Sequence, residues 1–471
     1  MKNNTFQISG TYTDQYQLTM AQAYFSRGKL HEKAVFDYFF RSLPFEGGYA
    51  IFAGLENLLD ILENLHFSED DIKFMRDWGF DKDFINYIKN FRFKGSIFSA
   101  QEGDLIFPTR PILRVEGHII EAQIIETLLL NILNFQSLIA TKASRMRLSA
   151  GNRTLIDFGM RRAHGLAAYH ASRASIIGGF DATSNVKAGI DFDISVSGTM
   201  AHSYVQSFDR ELDAFIHFAD IWPNNCILLV DTYDTLKSGL PNAIKVAKIM
   251  QSQGHQLKGI RLDSGDLAYL AKKSRQMLDE SGLNTVKIFV SNQLDEYLIK
   301  SLLDQKAPID GFGVGTRLVT GQPDAALGGV YKLAYAYNKS RIKLSENEAK
   351  TTLPGQKQVY RIYDSQHQLL GADIITFIDE NEINEMHHPV FDKKKMSLQG
   401  CQKEALLQPV MIDGKRTESK KSVKEIAKFS KSKLNALPLE YKRFDNPHIY
   451  KIGLSPKLKN ERNKMIKDLK S

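Results

Sequence analysis

The middle of the chain alternates in a regular way. Short apolar segments each end in a cluster of small and polar residues: TLIDFGMRR, FDATSNVKAG, DISVSGTMAHS, CILLVDTYDT, LKGIRLDSGD, VKIFVSNQLD and IDGFGVGTR. Amphipathic helical stretches such as AIKVAKIMQSQG and LAYLAKKSRQMLDESG follow several of them. Strand alternating with helix predicts a parallel sheet, and seven or eight such units predict an α/β barrel. The units are unequal, since almost nothing separates SNVKAG from the next strand, so the expected barrel is irregular. An open doubly wound sheet is the alternative.

The flanks have other rhythms. AVFDYFFRSLPFEGGYAIFAG reads as strand, turn and a second apolar segment. GDLIFPTRPILRVEGHIIEAQIIETLLLNIL reads as two strands and a long helix, with Ile124, Ile125, Leu128, Leu129, Ile132 and Leu133 on one buried face. KQVYRIYDSQHQLLGADIITF reads as a hairpin. The expected organisation is an N-terminal α+β domain over residues 1–137, the α/β barrel over 138–337, and a C-terminal segment over 338–471 that packs back on the first. The two ends together would form an α+β, sandwich-like second domain.

Composition narrows the class. In 471 residues, 43% hydrophobic and 25% charged is ordinary globular usage and excludes a disordered chain. No apolar run approaches the ~18 residues that span a bilayer, and MKNNTFQISG lacks the apolar core of a secretion signal. Two cysteines, Cys226 and Cys401, exclude a disulfide framework and a thiolate metal cluster, and a reducing cytoplasm is expected. The net charge of +8 is uneven. Residues 391–471 hold 21 Lys/Arg against 9 Asp/Glu, so the rest is slightly acidic. The basic tail reads as a solvated lysine-rich segment, with nucleic-acid binding as the competing reading.

Candidate chemistry collects where the strands end, the usual ligand side of parallel α/β folds. Gly311, Gly313 and Gly315 before Thr316 suit a phosphate cradle, because glycines let backbone N–H groups approach an anion. Arg261, Asp263, Ser264 and Asp266 place two carboxylates close together, which a cation, an arginine or sugar hydroxyls would bridge. Asp231 follows four apolar residues and can orient a histidine or bind a metal, while Asp234 suits a helix cap. His202, after Gly198 and Thr199, can act as base, nucleophile or ligand, but no second histidine has zinc-site spacing. Phe158 with Arg161 and Arg162 offers a shelf for a flat anionic ring, and His164 and His170 read as structural. The set implies a phosphorylated sugar and a planar partner and leaves the reaction open.

TDQYQLTMAQAY, FDYFFRSLPFEGGYAIFAGL, NFQSLIATKASR, DFGMRRAHG, GTMAHS, DTYDT, GIRLDSGDL, VSNQLDE, GFGVGT and GGVYKL together resemble, in order, the nicotinate phosphoribosyltransferase family, from about Thr13 to Leu353. The tail after about Lys393 matches that pattern poorly. The resemblance implies that nicotinate attacks C1 of 5-phosphoribosyl 1-pyrophosphate, with Mg²⁺, giving nicotinate mononucleotide and pyrophosphate. It implies ATP hydrolysis coupled through a phosphohistidine at His202, a ligase-type activity in NAD biosynthesis. It further implies that Asp231 orients His202 and that Asp263 addresses ribose, Mg²⁺ or the pyridine pocket. Thr199 and Arg261 would contact nicotinate, with Phe158 and Arg161 as its shelf. Gly313, Gly315 and Thr316 would hold the ribose phosphate, and Tyr16 would reach the ring across a homodimer interface. The related nicotinamide enzymes carry an Asp in the loop matching DATSNV. Here Ser184 and Asn185 stand there, and the missing negative charge favours the acid. The rivals are a nicotinamide phosphoribosyltransferase and a phosphate-binding barrel aldolase or isomerase, for which Lys187 is the sole strand-end lysine.

Overall fold

A computed structural model describes residues 8–346 and 350–471. The extreme start of the chain, read above as lacking a secretion signal, lies outside the described residues. The chain divides into two compact units. One comprises residues 1–138, 326–421 and 429–471, the other 139–325 and 422–428.

The first unit joins both chain ends. Lys33–Phe40 pairs antiparallel with Gly329–Ala336 on one side and Leu113–His118 on the other; Ser96–Ser99 and then Gln408–Ile412 extend this, and the short edge strands Lys339–Ser340 and Lys415–Arg416 complete a seven-stranded sheet. The pairing of Gly329–Ala336 explains why the middle unit ends at Ala325 and not near Tyr337: that strand's hydrogen bonds lie with the N-terminal region. A second, six-stranded sheet is built around the hairpin Lys357–Tyr363 and Leu369–Phe377, with Lys451–Leu454 parallel to the latter. Ile124, Ile125, Leu128, Leu129, Ile132 and Leu133, on the helices Ile119–Ile124 and Glu126–Ala150 and the turn between them, are all at most 6% exposed and belong to the unit's main apolar core.

The lysine-rich tail is folded, against the expectation of a merely solvated segment. It supplies strands to both sheets and the helices Val423–Ala436 and Pro456–Lys470. Its charge does not forbid this, because lysine and arginine stems bury along apolar surface; Lys459 and Arg462 are 4% and 7% exposed.

Buried charges tie this unit together. Arg110 Nε lies 2.7 Å from Asp373 Oδ2, Arg361 Nη1 lies 2.7 Å from Asp104 Oδ1, and Arg361 Nε lies 3.2 Å from Asp373 Oδ1. Tyr450 donates to Asp373 at 2.8 Å and stacks on Phe107. Lys357 and Asp37 form another buried pair at 2.8 Å.

The second unit holds the parallel sheet. Its strands are β1 Thr154–Asp157, β2 Ala182–Thr183, β3 Ile227–Leu229, β4 Gly259–Leu262, β5 Lys287–Ser291 and β6 Gly311–Val314. They lie in the order β2-β1-β6-β5-β4-β3, every neighbouring pair parallel. This is the cyclic order of a barrel, opened between β2 and β3. The ring stays open because β2 is two residues long and is continued only by a single bridge, Thr183 to Val196. The result is a curled half-barrel sheet in place of the expected closed barrel, and its order differs from a doubly wound sheet. Leu155, Leu228, Ile260, Ile288, Val290 and Phe312 are fully buried, as strands covered on both faces require. Among the described residues no helix is long and apolar enough to cross a membrane.

Removing one member of a buried ion-pair network leaves uncompensated charge, at a cost of about 3–5 kcal/mol. Arg361→Met is therefore expected to lower the unfolding free energy by that amount in denaturant titration. An unchanged midpoint would contradict the role given to this network.

Candidate functional site

Because the strands are parallel, all their carboxyl ends open on one side. Arg261 is the third residue of β4 and is 13% exposed at its side chain. Its Nε donates to Ser291 Oγ at 2.9 Å, Nη1 to Thr199 Oγ1 at 3.1 Å and Nη2 to Asp263 Oδ1 at 3.0 Å. Its guanidinium also lies over the Phe158 ring, 5.1 Å from the centroid. All three guanidinium nitrogens thus have partners on three different segments. Ser291 closes the circuit with a short hydrogen bond to Asp263.

His202 opens the helix His202–Gln206 and is 40% exposed. Nδ1 lies 3.1 Å from Thr232 Oγ1, and Nε2 faces Asp263 Oδ2 at 3.7 Å. Asp231 does not hold this histidine, contrary to expectation. One of its oxygens, Oδ2, accepts from the Asp263 N–H at 2.8 Å and from Ser264 Oγ at 2.6 Å. The loop after β4 comes within reach of that carboxylate, and the next residue, Thr232, takes the histidine. The other oxygen, Oδ1, is buried without a hydrogen-bond partner. A buried acceptor left open suits a donor or a cation.

Phe158 follows β1. A Cβ at Gly313 would sit 2.3 Å from its ring, and one at Gly311 would sit 2.7 Å from Phe289. These two glycines therefore leave room for aromatic rings within the sheet, so only Gly315 and Thr316 remain free of that duty. Gly315 precedes the short helix Thr316–Val319 with no Cβ clash closer than 3.4 Å. The guanidinium beside Phe158 belongs to Arg261 and not to Arg161, which is exposed.

Other sequence-derived residues fall into place. Asp234 caps its helix through the Leu236 and Lys237 N–H groups, and Asp266 does so through Tyr269. Burial, and then the charge of Arg173, push His170 down to about 4, so it is neutral near pH 7. Lys187 lies on a surface helix, paired with Asp191 at 2.5 Å, and not in the strand-end cluster that a Schiff-base role requires. Tyr16 belongs to the first unit, on the helix Gln15–Ser26, with 48% exposure. Thr232 and Ser291 escaped the sequence reading. Both lie inside the motifs DTYDT and VSNQLDE, and Ser291 is the last residue of a strand, the one positional signal that could have marked it.

This cluster can grip an anion through Arg261 and the turn at Gly315, and can hold a polyhydroxyl or cation at the carboxylates. Among the described residues no group of three or more His, Cys, Asp or Glu could cage a metal. A cation here would take most of its oxygens from its ligand, as Mg²⁺ commonly does with phosphates.

Three family models cover most of the chain. The nicotinate phosphoribosyltransferase N-terminal domain matches residues 11–134, the family model residues 154–369, and the C-terminal domain residues 356–462. The chain belongs to the nicotinate phosphoribosyltransferase family. It is 44% identical to the nicotinate phosphoribosyltransferase of Bacillus subtilis, over 98% of this chain and 96% of that one. It is 38% identical to one from Mycobacterium tuberculosis, over 96% and 93%. The crystal structure of human nicotinic acid phosphoribosyltransferase superposes with a TM-score of 0.87 at 30% identity, over 96% of this chain and 99% of that one. A nicotinate-nucleotide pyrophosphorylase from Pyrococcus furiosus shares the fold, at TM-score 0.73 and 23% identity. The C-terminal match overturns the expectation that the family pattern fades after Lys393: it runs to residue 462.

At these strand ends the Phe158 ring is seated by the missing side chain of Gly313. Gly313→Ala is expected to displace that ring and lengthen its contact with Arg261, as a crystal structure of the variant would show. An unmoved ring would contradict the assignment.

Proposed function

We propose that the chain joins nicotinate to the pentose of 5-phosphoribosyl 1-pyrophosphate, as a nicotinate phosphoribosyltransferase. The observation that carries this reading is the convergence of Arg261, Asp263, His202 and Thr199 at the strand ends, in a chain of this family. The pyridine nitrogen attacks C1, the bond from C1 to the pyrophosphate oxygen breaks, and pyrophosphate leaves with the electron pair. A pyridine nitrogen is a modest nucleophile, so positioning does much of the work. Phe158 and Arg261 hold the flat anionic ring, with Thr199 beside it. Gly315 and Thr316 hold the ribose phosphate through backbone N–H groups. Asp263 faces the ribose. Mg²⁺ bound with the substrate would neutralise charge on the leaving pyrophosphate, and Asp231, with its open Oδ1, and Asp263 are the residues that would help hold it.

His202 accepts the phosphoryl group of ATP and later yields it to water, so ADP and phosphate form and the ring returns to its starting state. Support comes from its half-open position and from its two ring nitrogens having different neighbours, Thr232 and Asp263. A phosphorylated ring adds about −2 charge beside the pyrophosphate subsite, which reshapes substrate binding and product release. Ser184 and Asn185 present no carboxylate where nicotinate's own carboxylate would be read, which favours the acid over the amide. Tyr16, exposed on its helix, is the residue that a homodimer would offer to its partner's site.

The test is turnover of labelled nicotinate, and of nicotinamide in parallel, with phosphoribosyl pyrophosphate and Mg²⁺, with and without ATP. Nicotinate mononucleotide and pyrophosphate should form, faster with ATP. Absence of product, or preference for nicotinamide, would overturn the reading. His202→Ala should abolish the ATP stimulation and keep slow ATP-independent turnover; intact ATP coupling in that variant would remove the phosphohistidine.

A further inference from the structure

Behind Phe158 lies a carboxylate that the reaction does not touch. Asp157, the last residue of β1, is 0% exposed, and among the described residues no cation pairs with it. Burial raises its pKa, while hydrogen bonds from the Gly159 N–H and from the Thr183 and Ser172 hydroxyls draw it back. Oδ1 accepts from Gly159 N at 2.8 Å, and Oδ2 accepts from Ser172 Oγ and Thr183 Oγ1, each at 2.8 Å. Its backbone carbonyl accepts from Ser184 N at 2.8 Å.

The same hydroxyls reach onward. Asn185 donates its backbone N–H to Thr183 Oγ1 at 3.1 Å and its side-chain Nδ2 to Ser172 Oγ at 3.3 Å. Asn185 Oδ1 accepts from Ala188 N at 3.2 Å, capping the helix Val186–Phe192. Thr183, Ser172 and Asn185 are each at most 1% exposed.

Asn185 gives to both hydroxyls. The Ser172 hydroxyl lies within reach of Asp157 Oδ2 and of the Ala168 carbonyl at 3.1 Å, and the Thr183 hydroxyl within reach of Asp157 Oδ2 and of Ser172 Oγ at 3.2 Å. A carboxylate accepts only, and it is the one acceptor that the two hydroxyls share, so it draws both toward itself and steadies the Asn185 amide behind them. One residue thus fastens two loops, the one carrying Phe158 and the one carrying Ser184–Asn185.

We infer that Asp157 is a positioning residue for nicotinate, holding the ring shelf at Phe158 and the carboxylate-reading loop at Ser184–Asn185 in mutual register. This rests on the function proposed above. Buried polar networks of this kind matter most when every member is satisfied, since a half-satisfied one leaves costly unpaired groups.

Asp157→Asn keeps the shape but puts a donor where the two hydroxyls share an acceptor, so both lose that acceptor and turn away, the Ser172 hydroxyl toward the Ala168 carbonyl. Thr183→Val removes one donor at nearly constant shape, and Thr183→Ser restores it. Steady-state kinetics with each substrate varied in turn read the outcome. Asp157→Asn and Thr183→Val should raise KM for nicotinate about ten-fold, the effect of losing one buried hydrogen bond to a charged group. KM for phosphoribosyl pyrophosphate should hold, and Thr183→Ser should recover nicotinate binding. If Asp157→Asn does not fold, the Thr183 pair gives the same comparison. Equal rises in both KM values, or no rise in either, would overturn the positioning role. Failure of the unaltered protein to turn over nicotinate would instead overturn the function on which it rests.

Discussion

The site depends on how one guanidinium is held. Arg261 is largely withdrawn from water, and a charge so placed needs its donors satisfied. It spends them on Ser291, Thr199 and Asp263 and lays its face on Phe158. These partners come from the end of β5, the segment before His202, the end of β4 and the end of β1. Planar, fixed and always charged, an arginine can hold four segments in one geometry where a lysine could not. Asp263, oriented by that arginine, faces His202 in turn. The strand ends converge because a parallel sheet brings them to one side, and the arginine fixes what they present to one another.

Much of this was legible in the chain. Apolar runs ending in polar clusters gave the strand ends, because strands buried on both faces must be short and apolar, with their ligand-facing residues just beyond. Arg261 and Asp263 were found that way, as was the capping duty of Asp234. The run before His202, expected as a strand, makes only the single bridge at Val196, so that histidine follows a loop. What failed to read was pairwise. Nothing along the sequence says that Asp231 would spend one oxygen on the loop after β4 and leave the histidine to Thr232. The glycines of GFGVG looked alike, yet two of them make room for aromatic rings that lie far away in sequence. Arg161 was matched with Phe158 by proximity in sequence, whereas the guanidinium over that ring comes from another strand.

The fold showed the same division between local and distant information. The hairpin, the long helix and the alternating middle followed from periodicity. The open edge of the sheet did not, since a two-residue strand carries too little pattern to reveal whether it has a second neighbour. The lysine-rich tail misled because charge predicts solvation only for side-chain heads. Its stems and intervening apolar residues build strands and helices, most of them in the first unit, where buried pairs such as Arg361 with Asp104 and Asp373 join segments far apart in the chain.

A crystal structure with nicotinate mononucleotide bound tests the central claim most directly. The account predicts the pyridine ring against Phe158, its carboxylate on Arg261 and Thr199 and beside the Ser184–Asn185 loop, the ribose at Asp263 and the phosphate at Gly315–Thr316. A nucleotide bound elsewhere, or with its pyridine turned away from Arg261, would contradict it.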